Sequence, residues 1–250
     1  MLPAYNEAQR IGPALDELLG YLIRQAPAQA PGGPLVEPAA VEVIVVDDGS
    51  TDDTAATVEQ RAAGLPGGAP RLRVLREPHA GKGGAVRAGM LAARGELVVF
   101  ADADMATPPD QLPRLLEALA SHDLALGSRI QPDGSDRRAS QPLRRRLMGR
   151  AFHLLAALWV TGGVPDTQCG FKGFRAAVAR DLFGRQRLAS IVFDAEIIHL
   201  ARRRGYSIVN VPVEWTDKRG SRMHFGIRLG LRVMLDLLRI PLIHRHVSRA

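Results

Sequence analysis

Two carboxylates one residue apart carry the first chemical signal in this chain. Asp102 and Asp104 follow the apolar run Leu97-Val98-Val99-Phe100-Ala101, and Ala106-Thr107-Pro108-Pro109 closes the stretch. An apolar run bounded by turn residues reads as a buried strand. Residues two apart on an extended chain face the same side, so both carboxylates can converge beyond the strand's C-terminal end. Carboxylates crowded together repel, which raises a pKa or calls for a cation. A hard divalent ion such as Mg²⁺ takes oxygen ligands and shares them with substrate phosphates. The alternative is a plain turn in which Asp104 caps a helix at 109–120.

Two more polar clusters end apolar runs in the same way. Asp47-Asp48-Gly49-Ser50-Thr51-Asp52 follows the β-branched run Val41-Glu42-Val43-Ile44-Val45-Val46, and Pro3-Ala4-Tyr5-Asn6-Glu7 follows Met1-Leu2. Lys82, in Gly81-Lys82-Gly83-Gly84, opens an Ala/Gly-rich stretch and either meets phosphate or only begins a helix. Asp194, at a predicted helix start, is the general-base candidate should the reaction need one. The Arg144-Arg145-Arg146 run and Lys172 read by default as solvated surface, and His79 and His153 as structural or solvated. Cys169 is a small buried residue, and as the single cysteine it excludes an intramolecular disulfide framework.

The elements that must position these groups alternate. Helical periodicity runs to about residue 25, on Ile11, Leu15, Leu18, Leu19 and Leu22. Prolines and glycines make a loop of 26–40. A strand at 41–46, a helix to 63, a strand at 71–76, a helix at 80–94 and the strand at 96–101 come next, then a helix at 109–120 and a strand at 123–127. Residues 130–142 read as a polar loop, Arg144 to Val160 as an apolar helix, 168–175 as a short strand or turn, 193–204 as a helix and 207–213 as an edge strand. This alternation predicts an α/β fold, a doubly wound, mostly parallel, Rossmann-like sheet. In such sheets ligands bind beyond the carboxyl ends of the strands, where all three acidic or polar clusters fall. The first strand is expected to be cut short, because only Met1 and Leu2 precede Pro3.

The last helix is predicted over Phe225–Ile240, ended by Pro241. Arg228, Arg232, Asp236 and Arg239 recur at helical spacing, so its expected form is amphipathic with a basic face. It packs on the domain or lies in a membrane interface. Two segments are expected, a body over 1–222 and a C-terminal tail over 223–250. At 250 residues and 46% hydrophobic content the chain builds a sizeable core. The formal net charge of +7 suits anionic lipid or phosphorylated substrates. Nucleic acid is not expected, since helix-turn-helix, zinc and aromatic-platform patterns are missing.

Together these motifs resemble family 2 inverting glycosyltransferases with the GT-A fold. The resemblance rests on Pro3–Glu7, Val46–Asp52, Gly81–Gly84 and Asp102-Ala103-Asp104, and covers roughly residues 1–222. Asp166-Thr167-Gln168-Cys169-Gly170-Phe171-Lys172 and Phe193-Asp194-Ala195-Glu196 are similar to the dolichyl-phosphate β-glucosyltransferases and their polyprenyl-phosphate relatives. It implies that Pro3, Ala4, Tyr5, Glu7, Asp47, Asp48 and Lys82 hold the nucleotide-sugar. Asp102 would lie near the ribose or metal, and Asp104 would ligate Mg²⁺ or Mn²⁺. Arg129 would meet phosphate. Arg219 and Arg222 would serve the donor, Arg144 and Lys172 the acceptor phosphate, and Asp194 would be a base or a positioning group. The reaction implied is transfer from UDP-glucose to a polyprenyl phosphate, at the inner face of the cell membrane with the protein cytoplasmic and peripheral. GDP-mannose, a hydroxyl acceptor, or nucleotide-sugar binding without catalysis are the alternatives.

Overall fold

The computed structural model describes residues 1–24, 40–131, 133, 135–136, 156–216 and 227–249. Among the described residues seven strands form the centre. β1 (Leu2–Ala4), β2 (Glu42–Asp48) and β3 (Arg71–Glu77) pair in parallel in the order β1-β2-β3. β4 (Leu97–Ala101), β5 (Leu124–Ser128), β6 (Phe171–Arg175) and β7 (Ile208–Pro212) pair in the order β4-β6-β5-β7. β6 is antiparallel to both neighbours, and β5 is parallel to β7. Met1 joins the two sets: its nitrogen donates to Val99 O at 2.6 Å, and Ala101 N donates to Met1 O at 3.0 Å. The three-residue β1 therefore bonds on both sides, and the strand ends that carry Ala4, Asp48 and Ala101 reach one edge.

The β-branched run forms β2 because both its faces are covered. Val43 and Val45 join a core with Leu2, Ile11, Leu15 and Val58. Ile44 and Val46 point the other way, against Ala85. The first face is covered by α1 (Ala8–Arg24) and α2 (Thr54–Ala63), the second by α3 (Lys82–Ala92). One face of β4 to β7 is covered by α4 (Leu112–Ser121), entered through a 3₁₀ turn at Pro109–Gln111, and the other by α5 (Ala176–Arg185) and α6 (Phe193–Arg204). The sequence pattern predicts no element over α5. Its buried Ala176, Ala179 and Phe183 do follow helical spacing, but Asp181, Gly184 and two arginines, Arg180 and Arg185, dilute the pattern.

α7 (Ile227–Ile243) departs from expectation twice. The helix passes through Pro241, and its ladder resumes with His244 N donating to Ile240 O at 3.3 Å. Buried Ile240 and His244 hold both sides of the proline, which offsets the lost N–H. Asp236, expected on the solvated basic face, is instead buried and accepts a bond from Ser190 Oγ at 2.8 Å. Of the apolar helix expected from Arg144 to Val160, the described part ends in a π-helical turn, Ala157–Thr161. Arg144, His153, Arg219 and Arg222 lie outside the described residues, as does most of the 130–142 loop. No helix among the described residues is long and apolar enough to cross a membrane.

Candidate active site

The loops after β1 and β2 are stitched together before any ligand enters. Asn6 N donates to Ser50 Oγ at 2.9 Å, Glu7 N to Thr54 Oγ1 at 2.7 Å, and Thr51 N to Asn6 Oδ1 at 2.8 Å. Glu7 pairs with Arg10 on α1. Asp47 Oδ1 accepts from Ser50 N, closing its own turn. Both oxygens of Asp48 are engaged: Oδ1 accepts from Ala80 N at 2.8 Å, and Oδ2 from Gly81 N at 3.0 Å. Asp48 thus holds the entry to α3, a role beyond the nucleoside contact expected of it. Gly81 takes φ +98°, open to glycine without strain. His79, read as structural or solvated, packs its ring on Tyr5 with centroids 4.2 Å apart, and Asp48 Oδ2 lies 2.9 Å from its Nδ1. The pair presents a half-exposed aromatic platform at the cleft edge beside the Pro3–Ala4 strand end.

The paired carboxylates stand in the middle of this edge and have different surroundings. Asp102 forms an ion pair with Lys82 Nζ at 2.6 Å, and its backbone N–H donates to Gly170 O at 2.9 Å. A Cβ on Gly170 would collide with the Asp102 carboxylate, so a larger residue there must push that carboxylate aside. Asp104 Oδ1 accepts from Ala106 N at 3.0 Å, which turns the chain at Met105, φ +49°. Asp104 therefore caps its own turn, and the helix at 109–121 starts from Pro108 without a side-chain cap. Burial, and then the Asp102 charge, raise the Asp104 pKa above the usual carboxylate range. Burial pulls the Lys82 ammonium down, but Asp102 and Asp194 outweigh it and raise its pKa.

These residues suit a divalent cation. Among the described residues no cluster of three or more His, Cys, Asp and Glu is placed to hold a metal. An all-protein cage is thus missing there. One or two carboxylates completed by substrate phosphate is the usual arrangement for Mg²⁺. Asp104 offers a second oxygen that takes no hydrogen bond from a described residue, next to a like charge that a cation would relieve.

Two buried ion pairs lie beside these carboxylates. Arg129 grips Asp166 through Nε and Nη2, both at 2.7 Å, and stacks 5.5 Å from the Trp215 ring. Burial opposes its charge, yet the bonds and charge of Asp166 raise its pKa further. Lys172 Nζ donates to Asp194 Oδ1 at 2.7 Å and Cys169 O at 2.6 Å, with its side chain only 1% exposed. The structure thus corrects the surface expectation for Lys172: it neutralises Asp194 inside the protein. Asp194 is buried as well; desolvation raises its pKa, and Lys172 and Lys82 partly offset this. Phe100 lies between the cations, 5.9 Å from Lys82 and 5.3 Å from Lys172. The sequence alone points to no role for Asp166, Gly170 or Trp215. The first two sit inside the most distinctive motif, which was their available signal; Trp215 had none.

A parallel-sheet edge with paired carboxylates beside buried cations is the kind of site that handles a nucleoside diphosphate, and the fold around it is GT-A. Glucosyl-3-phosphoglycerate synthase from Mycobacterium tuberculosis, crystallised with Mn²⁺, UDP-glucose and phosphoglyceric acid, superposes with a TM-score of 0.61 at 23% identity, over 96% of this chain and 77% of that one. The profile of glycosyl transferase family 2 matches residues 1–183. The chain belongs to this family and is a glycosyltransferase. It is 37% identical to dolichyl-phosphate beta-glucosyltransferase ALG5C of Trichomonas vaginalis, over 98% of this chain and 71% of the relative. It is 38% identical to the dolichyl-phosphate beta-glucosyltransferase of Drosophila melanogaster and 32% to that of Homo sapiens, each over 89% of this chain and 68% of the relative.

Proposed function

We propose that this chain moves glucose from UDP-glucose to a dolichyl or other polyprenyl phosphate, with inversion, giving a β-linked lipid-phosphate sugar. The observation that carries this reading is the set of dolichyl-phosphate β-glucosyltransferases that match 89–98% of the chain at 32–38% identity. The site chemistry agrees with it. The acceptor phosphate is an anion at neutral pH, so its attack on the anomeric carbon needs no general base. Asp194, buried and paired with Lys172, fits a positioning role better than proton abstraction.

In this reading Pro3, Ala4, Tyr5, Glu7 and Asp47 frame the nucleoside, and Tyr5 on His79 offers a flat apolar face. Asp104 and Asp102 would hold Mg²⁺ or Mn²⁺, which when bound offsets charge on the departing nucleoside diphosphate. Lys82 and Arg129 add fixed positive charge that is preorganised by Asp102 and Asp166. Arg219 and Arg222 are assigned to the donor, and Arg144 to the acceptor phosphate. Residues 1–222 form the catalytic body, and 223–250 face the membrane surface from the cytoplasmic side.

The test is label transfer from UDP-glucose into organic-extractable product, using the purified chain, a short isoprenoid phosphate and Mg²⁺. We expect transfer, reduced about a hundredfold in Asp104→Ala. Undiminished transfer by Asp104→Ala overturns the metal assignment. Transfer only from GDP-mannose overturns the donor, and transfer only to a hydroxyl acceptor overturns the lipid phosphate.

A further inference from the structure

One contiguous apolar face takes no part in the chemistry proposed above. On α7, Leu231, Leu235, Leu238 and Leu242 follow one another at steps of four, three and four and so share a stripe. They are 61, 59, 40 and 63% exposed, and Met234 beside them is 42% exposed. Trp159, from the π-helical turn, joins the patch at 52% exposure, its indole N–H donating to Leu238 O at 3.3 Å. Single exposed apolar residues are ordinary, but six gathered in one patch mark a contact surface.

The helix is not free to roll this stripe inward. Its other side is buried through Leu237 and Ile240. Two buried polar contacts pin it there: Ser190 Oγ to Asp236 at 2.8 Å, and His244 Nε2 to Glu196 Oε1 at 2.6 Å. Exposed Arg232, Arg239 and Arg245 flank the stripe, while Asp236, the one acid of α7, is withdrawn into the protein.

We infer that this face docks at the headgroup–acyl boundary of an anionic bilayer, with the leucines and Trp159 inserted and the arginines at lipid phosphates. The purpose of the docking rests on the lipid-phosphate acceptor reading; the geometry does not. Charge selects the occupant. A second copy on this face would bring its own arginines against the first set, whereas anionic headgroups complement them. The docked helix is also tied to the cleft. Ser190 binds Asp236, and the adjoining Ala189 O accepts from Gly83 N at 2.9 Å, one residue beyond Lys82.

The experiment is co-sedimentation of the full chain with vesicles of phosphatidylcholine, with or without phosphatidylglycerol, and without donor or acceptor. We expect partition onto the phosphatidylglycerol vesicles, with a blue shift of tryptophan emission that Trp159→Phe removes. The double variant Leu235→Glu, Leu238→Glu should lose about tenfold in partition. Its unfolding midpoint, and its activity on a water-soluble short-chain isoprenoid phosphate, should match the unsubstituted chain. Arg232→Glu with Arg239→Glu should remove the preference for anionic vesicles. Equal partition by the leucine variant overturns the proposal. So does a dimer in vesicle-free solution that the leucine variant abolishes, since a second copy then covers the face. Because the vesicles hold no acceptor, failure to dock leaves the acceptor reading intact, and failure to transfer glucose leaves docking intact.

Discussion

Asp102 and Asp104 leave one strand end in different states, and neighbouring residues cause the difference. Asp102 is neutralised by Lys82 and pressed against Gly170. Gly170→Ala should therefore displace the Asp102 carboxylate and reduce transfer strongly while circular dichroism stays unchanged. The Lys172–Asp194 pair predicts a stability effect. Asp194→Asn leaves a buried ammonium unpaired and should cost about 3–5 kcal/mol in denaturant unfolding, much of it recovered when Lys172→Met is added. Cys169 is buried, and burial first, then Asp166, pushes its thiol up to about 12. At pH 8 only about one thiol in ten thousand is ionised. A disulfide reagent should accordingly label the native chain only as fast as it unfolds, and the denatured chain at once. The convergence of Asp102 and Asp104 was legible from the period of two in a strand. The inward turn of Lys172 was not, because it depends on β6 pairing antiparallel with β4, which sets Lys172 opposite Phe100.

At the scale of elements, polar contacts between helices set how the sheet is covered. Asp181 on α5 accepts from Arg185 and Arg204, each at 2.8 Å, and from the Tyr206 hydroxyl at 3.0 Å. Burial alone would raise its pKa, but these three donors together hold it below the usual carboxylate range. A depressed carboxylate pKa contributes stability above the ordinary value, and this is lost as pH falls through the lowered one. Asp181→Asn should be less stable than the unsubstituted chain at neutral pH, with the difference vanishing in acid; thermal unfolding across pH reads it directly. Helical periodicity made α1, α4 and α6 readable in advance. The passage of α7 through Pro241 was not readable, since it depends on distant partners that bury Ile240 and His244.

For the whole molecule, the seam between the two strand sets is the decisive feature. Met1 bonds to Val99 and Ala101 and so brings the β2 loop, the β4 carboxylates and the Asp166–Lys172 motif to one edge. A cleft assembled from separate chain segments is stabilised by whatever bridges them. Mn²⁺ with UDP should raise the unfolding free energy by about 2.7 kcal/mol at a hundredfold excess over Kd. Asp104→Ala should abolish that gain, and chelation should remove transfer until Mg²⁺ or Mn²⁺ is restored.

The sequence by itself determined the alternation of strands and helices, the acidic strand ends, and the family motifs. All of these are local, because the periods of two and 3.6 and the turn residues are properties of consecutive backbone units. Tertiary structure decided which charges meet. Arg129 finds Asp166 37 positions away, Asp48 finds the Ala80 amide 32 away, and Lys172 finds Asp194 22 away. It also decided which side of α7 is left to solvent. A buried charge is stable only against a partner of opposite sign, and the chain crossings of the folded sheet set which partner lies within reach.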